Sequence, residues 1–351
     1  MSRRSVALWA AAVVAVLGVA AGIVVLRPVV LPGPHTLVAA AWLPTADPRA
    51  GGSLPPALDA GVTEVSPTLA SFTADGGVAV QQPAPEVQAL LERPDVRVIP
   101  TVQNYLDGGW QGGLVAEVLA DPGKADAHRR ELVRTAVQHE WDGLDIDYEA
   151  LPPTAGPVFT DFLDQLADDL HAEGMRLTVA VPARVNDQDE WGLAYSYQVL
   201  GQIADEVRVM TYDHSWSTSE AGPVAPLEWV RGVITYATQR VPAEKLMLGL
   251  ATYGYDWVGQ QGTTLQATDA VELARRVGAT PEWVPRSASW TFSYEQDGVQ
   301  HTVWYEDARS LAAKQQLAID AELRGVAIWA LGGEDPELWT SVAAATRGSA
   351  A

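Results

Sequence analysis

The 351-residue chain contains no cysteine, so disulfides and thiolate metal sites are excluded. Its six histidines (His35, His128, His139, His171, His214 and His301) form no His-x-x-x-His pair. Most of them read as surface or loop residues, and nothing in the sequence calls for a metal or a cofactor. Basic residues are few, 23 Lys plus Arg against 44 Asp plus Glu, and the formal net charge of −21 argues against a nucleic-acid partner. No internal repeat is visible. Gly332-Gly333 lacks the glycine–lysine continuation of a phosphate loop and reads as a turn after a strand.

What is present begins with an apolar run. Arg3 and Arg4 precede an uncharged stretch from Val6 to Leu26. As a helix, such a stretch spans about 30 Å, the hydrocarbon thickness of a bilayer. The flanking arginines place the N-terminus in the cytoplasm and the rest outside. Residues 1–30 are therefore expected to be a transmembrane anchor, with a catalytic domain on the outer side of the cell membrane. Cleavage and secretion are the alternative, because Val19-Ala20-Ala21 resembles a small-residue cleavage site and Ser2-Arg3-Arg4 weakly resembles a twin-arginine export signal.

Beyond a proline-rich linker, eight short apolar segments read as strands: 37–42, 61–72 (ending in a loop), 96–104, 142–149, 177–182, 207–213, 246–253 and 325–331. Helical patterns separate them. One carries Leu132, Val133, Ala136 and Val137 on a face, and another carries Phe159, Phe162, Leu163, Leu166 and Leu170. The expected fold is α/β, a (β/α)8 TIM barrel over residues 31–345 with a short tail at 346–351. Excess chain at about 258–305 holds a helix near Asp269–Val277 and two strand-like runs joined at Asp297-Gly298, a hairpin signal. It reads as a small α+β insertion between strands seven and eight.

The fourth segment, Asp142-Gly143-Leu144-Asp145-Ile146-Asp147-Tyr148-Glu149, alternates acid and apolar residues. With a period of two, Asp145, Asp147 and Glu149 share one face of a strand, roughly 6.5 Å apart in succession. Three carboxylates in a row are costly to bury unless protons and hydrogen bonds are shared among them. A solvated acidic face is the plainer reading. The apolar segments on either side favour a buried parallel sheet instead.

This stretch resembles the Asp-Gly-x-Asp-x-Asp-x-Glu signature of glycoside hydrolase family 18. Met210-Thr211-Tyr212-Asp213 is similar to the family's Met-x-Tyr-Asp on strand six, and Trp329 falls where the family places a sugar-stacking tryptophan on strand eight. Taken singly, Trp329 could be core and Tyr212-Asp213 a loop pair. The resemblance covers roughly residues 35 to 345. The Ser-x-Gly-Gly pattern common on strand three of chitinases is replaced by Thr101-Val102-Gln103-Asn104. Gly254-Tyr255-Asp256-Trp257 and Val303-Trp304-Tyr305-Glu306-Asp307-Ala308 look more like the bacterial cortex-lytic and cell-envelope branch, and Trp329 to Pro336 is similar to family domains associated with bacterial surface polysaccharide enzymes.

The resemblance implies a retaining hydrolase in which the substrate's acetamido group is the nucleophile. It assigns Glu149 as general acid and then base, Asp147 as holder of the acetamido N–H, and Asp145 as sharing a proton with Asp147. It implies substrate contacts at Tyr212, Asp213, Met210 and Trp329. Asn104, Tyr253, Trp257 and Trp42 sit at loop ends facing the cleft, where sugar contact and rim packing are both open. The expected partner is a β-linked polysaccharide containing N-acetylglucosamine, and the chain is expected to act as a monomer. The alternative is a catalytically silent sugar-binding protein on the same fold; an intact Glu149 favours the enzyme.

Overall fold

Alternation along the strands builds the molecule from the inside out. The computed structural model describes residues 36–347. The expected membrane anchor at residues 1–30 lies outside the described residues. Among those described, no helix is long and apolar enough to cross a membrane.

The barrel strands are Val38–Leu43, Val62–Pro67, a broken third strand of Arg97–Val98 and Thr101–Gln103, then Gly143–Asp147, Arg176–Pro182, Glu206–Met210, Leu246–Ala251 and Gly325–Trp329. Consecutive strands pair in parallel, and the eighth returns to the first with Val38 opposite Gly325. The third strand completes the ring in two halves. Arg97–Val98 pairs with strand two, and Thr101–Gln103 pairs with strand four. Pro100 lies at the break, where a residue without an N–H costs the ladder nothing; its carbonyl still accepts from Asp145 N–H at 2.9 Å.

Residues of one parity point outward. Ala39, Ala41, Val65, Val102, Leu144, Ile146, Leu177, Val179, Val207, Val209, Leu248, Leu250, Val326 and Ile328 all join one buried apolar cluster with the surrounding helices. At about 1.5–3 kcal/mol for each large side chain buried, this shell dominates the stability. The helix Gly156–Ala172 contributes the full expected stripe, Phe159, Phe162, Leu163, Leu166 and Leu170. The helix Pro122–Gln138 starts on Asp121, whose carboxylate accepts from the N–H of Gly123 and Lys124 at 2.9 and 3.1 Å. Its buried face is His128, Leu132, Thr135 and Ala136; Val137, expected on that face, is exposed. The helix Leu338–Arg347 runs into the stretch expected as a tail. There Thr346 and Arg347 donate to the carbonyls of Ala60 and Asp59.

Residues of the other parity fill the barrel with unusual chemistry. At the N-terminal end, Glu64 contacts Arg97 at 2.7 Å and Arg324 at 3.1 Å, and Glu206 contacts Arg176 and Arg324, each at 2.8 Å. Arg208 bridges the two acids and donates to Ser66. Burial raises Glu206, but the Arg208 guanidinium, a hydrogen bond from Glu64 and the guanidiniums of Arg324 and Arg176 outweigh it and hold the carboxyl down at about 2. Glu64 is raised, by burial and by the charge on Glu206. Breaking such a buried pair from one side costs about 3–5 kcal/mol. Above this floor sit Ala40, Trp42, Ala180, Met247 and Ala327.

The insertion begins earlier than its sequence pattern indicates. Tyr253–Val258 is not the end of strand seven. It is the second strand of a separate antiparallel sheet, flanked by Gln261–Gln266 and Val299–Tyr305 and completed by Ser289–Gln296 and Glu282–Val284. Thr252 is the joint, its hydroxyl donating to Ala330 O at 2.8 Å. The helix Ala267–Val277 packs Ala270, Leu273 and Ala274 against Phe292, Val303 and Tyr305. Asp297 and Gly298 both have positive φ, +54° and +78°, as a tight two-residue hairpin requires.

Candidate active site

Strand four turns Asp145 and Asp147 into the barrel and presents Glu149, half-buried, just beyond the strand's C-terminal end. The opposite face sends Leu144, Ile146 and Tyr148 into the apolar shell. Tyr148 packs edge-on to Phe72 at 5.8 Å, and its hydroxyl meets Nε2 of the buried His128 at 2.6 Å. Burial lowers His128 to about 4, so this histidine is a neutral core residue, not the surface or loop residue expected. After Glu149 the chain turns sharply through Ala150, at φ +55°. Gly112 makes room there, since a Cβ at that position would lie 2.0 Å from Ala150 O.

The three acids have different surroundings. Asp145 is saturated with donors: Oδ2 accepts from Trp42 Nε1 at 2.8 Å and Thr101 Oγ1 at 3.0 Å. Oδ1 accepts from Thr178 Oγ1 at 2.5 Å and faces Arg208 Nη1 at 3.5 Å. Among the described residues Asp147 receives a single donor, Gln103 Nε2 to Oδ2 at 2.9 Å, and its buried Oδ1 has no hydrogen-bond partner. Burial lifts Asp147 to about 7; Gln103 pulls the other way, and the charge on Asp145 adds to the rise. Glu149 is raised well above its ordinary range, by burial and then by Asp147 and Asp213. That combination favours the protonated carboxyl, which is the form a general acid needs.

The other expected residues divide into two groups. Tyr212, Asp213, Met210 and Trp329 come together with the acids. Tyr212 is half-buried, and desolvation, with Asp147 and Glu149 close by, raises its phenol well above the usual value and keeps it a donor. Asp213 is open to solvent at φ +56°; its Oδ1 accepts from Tyr253 Oη at 2.6 Å and Tyr255 Oη at 2.9 Å. Trp329 is half-buried and meets Trp42 edge to face at 5.9 Å, with Met210 packed beside them.

Asn104, Trp42 and Trp257 are not open to a sugar. Asn104 is 0% exposed, and both ends of its amide are bonded to the Glu149 backbone. Trp42 is 2% exposed and spends its N–H on Asp145. Trp257 is 1% exposed and donates to Trp216 O at 3.2 Å. Tyr253 is buried and donates its hydroxyl to Asp213. Each stands at a strand end, where sequence position alone does not separate a residue facing the cleft from one supporting it.

Gln103, Thr101, Thr178 and Arg208 were not singled out by the sequence, although all four touch the acids. Their signal was parity, because on strands three, five and six they occupy the positions that alternate with apolar shell residues. A recess of about 350 Å³ bounded by Arg93, His139, Trp141 and Asp142 lies beside the N-terminal ends of strands three and four and includes none of the three acids.

The family model described as Glycosyl hydrolases family 18 matches residues 73–335. The chain belongs to glycosyl hydrolases family 18. The family acts on polysaccharides containing N-acetylglucosamine, and the chain is a glycoside hydrolase. An uncharacterized glycosylase, YvbX, of Bacillus subtilis (strain 168) is 28% identical over 285 residues, 79% of this chain and 83% of that protein. The cortical fragment-lytic enzyme of the same organism is 28% identical over 308 residues, covering 84% of this chain and 71% of that one. Among solved structures, a chitinase from Chromobacterium violaceum ATCC 12472 superposes with a TM-score of 0.82 at 30% identity over 87% of this chain and 98% of its own. Within family 18, this chain carries all three acids of the signature strand, with Glu149 presented at the cleft.

Proposed function

We propose that the enzyme hydrolyses a β-linked, N-acetylglucosamine-containing polymer of the cell envelope, with the substrate's acetamido group as nucleophile. The observation that carries this reading is the pairing of a half-buried Glu149, raised well above its ordinary range, with an Asp147 whose Oδ1 has no hydrogen-bond partner among the described residues. Glu149 gives its proton to the glycosidic oxygen as the acetamido oxygen attacks the anomeric carbon and the C–O bond breaks. Asp147 holds the acetamido N–H and balances the positive charge of the cyclic oxazolinium. Tyr212 donates to the acetamido oxygen, Asp213 lines the same subsite, and Trp329 forms its floor. Water then opens the ring and yields its proton to Glu149. Two inversions leave the anomeric configuration retained.

The likeness to a cortical fragment-lytic enzyme supports an envelope glycan as the substrate, and a chitin-like oligomer is the second choice. An N-terminal membrane anchor would keep the barrel beside that glycan; recovery of the protein only from the medium, trimmed near Gly22, would refute the anchor. Proton NMR of fresh product tests the mechanism, and an initial α-anomer from a β-linked substrate rules it out. Glu149→Gln is expected to lose about 10²–10⁴-fold in turnover while still binding sugar. A wild type that binds these glycans yet cleaves none would be a lectin.

A further inference from the structure

One face of the insertion sheet is turned to the barrel mouth, where Tyr253 and Tyr255 reach Asp213 and Trp257 reaches Trp216 O. The register sets the side chains of this face in rows. Tyr255 lies opposite Trp304 on the strand Val299–Tyr305, and Trp304 lies opposite Thr291 on the strand Ser289–Gln296. The next row is Trp257, Thr302 and Ser293. Directly opposed residues of an antiparallel pair share a face, so all six belong to it. Phe292, Val303 and Tyr305 point the other way and form the insertion's own core beneath the helix Ala267–Val277. Tyr255 and Trp257 are buried, Trp304 and Thr302 are half-buried, and Ser293 is exposed. Trp304 packs on the cluster of Tyr253, Tyr255 and Trp257, against which Tyr212 and Trp329 also rest. The indole N–H groups of Trp42, Trp257 and Trp290 each have an acceptor. That of Trp304 has none among the described residues and is open to solvent. The hydroxyls of Thr302 and Ser293 are likewise without a hydrogen-bond partner among the described residues.

We propose that Trp304 is the platform for a second sugar unit of the polymer, the neighbour of the unit lined by Asp213, and that Thr302 and Ser293 meet that unit's hydroxyls. The inference rests on the function proposed above, and in particular on Asp213 lining the subsite of the reacting sugar. Continuity of the wall carries it. Tyr255 donates to Asp213 at 2.9 Å, and Trp304 stands one strand further along the same face, about 4.8 Å on. A glycan leaving the Asp213 subsite along this wall meets the indole next. A pyranose ring has apolar C–H faces and a rim of hydroxyls. A half-buried tryptophan gives an apolar ring to the face and an N–H to the rim. Serine and threonine hydroxyls both donate and accept, as sugar hydroxyls do. The charged strand residues of this face are Glu282, on the edge strand, and Glu295, near the hairpin. No strand residue of the face is a lysine or arginine that would pair with a carboxylate. The unit on Trp304 is therefore an uncharged N-acetylhexosamine. Trp304 binds at a distance from the reacting atoms and sets the preference for chain length.

Two measurements test this. In the Glu149→Gln protein, where turnover is expected to be lost, the nitrogen-labelled indole signals are followed by NMR as a β-linked N-acetylglucosamine hexamer is added. Trp304 and Trp329 are assigned from the signals lost in Trp304→Phe and Trp329→Phe. Both signals should move as the hexamer saturates the protein. A Trp329 signal that moves while the Trp304 signal stays overturns the inference and leaves the proposed function standing; if neither moves, both fall. The second measurement is the length dependence of kcat/KM, which should rise in the wild type from the shortest cleaved oligomer to the hexamer. Trp304→Ala should lower the hexamer value by about 10–100-fold more than the value for the shortest oligomer. Trp304→Phe, which keeps a ring without the N–H, should recover most of that loss. Equal losses at every length, or equal losses in the Ala and Phe variants, would make Trp304 a packing residue only. Should Trp304→Ala not fold, Thr302→Val combined with Ser293→Ala removes both hydroxyls and should flatten the length dependence by less; no flattening counts against the wall. Retention at the anomeric carbon is read separately, so the mechanism can hold while Trp304 proves idle, and the reverse.

Discussion

Asn104 grips the backbone of Glu149 at both of its polar groups: its Oδ1 accepts from the Glu149 N–H at 2.8 Å, and its Nδ2 donates to the Glu149 carbonyl at 2.9 Å. The acid sits two residues past the end of its strand, where no ladder fixes it. A buried amide from the neighbouring strand takes the place of the ladder. Asn104→Ala removes both bonds and leaves buried main-chain groups unpaired, at roughly 1–3 kcal/mol. Steady-state kinetics should show kcat lower by about 10–100-fold with KM little changed, because the acid is misplaced while the sugar subsites persist. A variant with wild-type kcat would show that Glu149 needs no such hold.

Asp147 sets activity against stability. Its folded value, raised to about 7, lies above the ordinary aspartate range, so its contribution to stability is complete below about pH 4 and is lost as pH rises through 7. Asp147→Asn removes the carboxylate that must be buried at high pH. Thermal melts should therefore show the variant more stable than wild type at pH 8, with the gain fading towards pH 4. Its turnover should fall by about 10² or more. A variant less stable at pH 8 would place the cost of burial elsewhere.

His128 acts in the opposite sense. Its folded value is lowered to about 4, so the stability it contributes is present above about pH 6.5 and is lost as pH falls towards 4. His128→Gln keeps a partner for the Tyr148 hydroxyl and cannot charge. Denaturant titrations should show the wild type losing on the order of 3 kcal/mol more than the variant between pH 7 and pH 4. Parallel losses in the two proteins would assign acid sensitivity to another group.

Asp213 depends on two tyrosines from outside the barrel. Tyr255→Phe removes the hydroxyl that donates at 2.9 Å and leaves Tyr253 to hold the carboxyl alone. Hydrogen bonds to charged groups contribute about 1.5–3 kcal/mol, so kcat/KM on a short oligosaccharide should fall roughly tenfold. Unchanged kinetics would mean that Asp213 is ordered without Tyr255.

The barrel was legible in the sequence because its strands obey one rule, apolar outward at every second residue. The acid strand was legible for the same reason, since Leu144, Ile146 and Tyr148 mark the outward face and leave the acids no other direction. Strand three was readable only as an unbroken run; its division at Pro100 follows from the ring pairing one half with strand two and the other with strand four. The supporting residues were obscured by chemistry as much as by position. Trp42 and Trp257 suggest sugar stacking wherever they occur, and only burial shows that their ring nitrogens serve Asp145 and a main-chain carbonyl. Arg208 lies between two valines on strand six, and no local pattern indicates that its charge is met by Glu64, 144 residues away. The insertion's start was misplaced because Tyr253 continues the apolar run of strand seven, and the pattern does not break where the sheet changes.

That start point has an engineering consequence. Tyr253 and Tyr255 leave the barrel on the first strand of the insertion and return their hydroxyls to Asp213. Between them, Gly254 lies so close to its neighbour that a Cβ would stand 2.0 Å from Trp304 O. The insertion is therefore not an interchangeable module. A chimera joined at residue 258, where the sequence pattern invites the cut, would keep both tyrosines but strip the strands that hold them. Exchange between homologous barrels has to carry Tyr253 to Tyr305 as one block, and it exchanges the support of Asp213 with it.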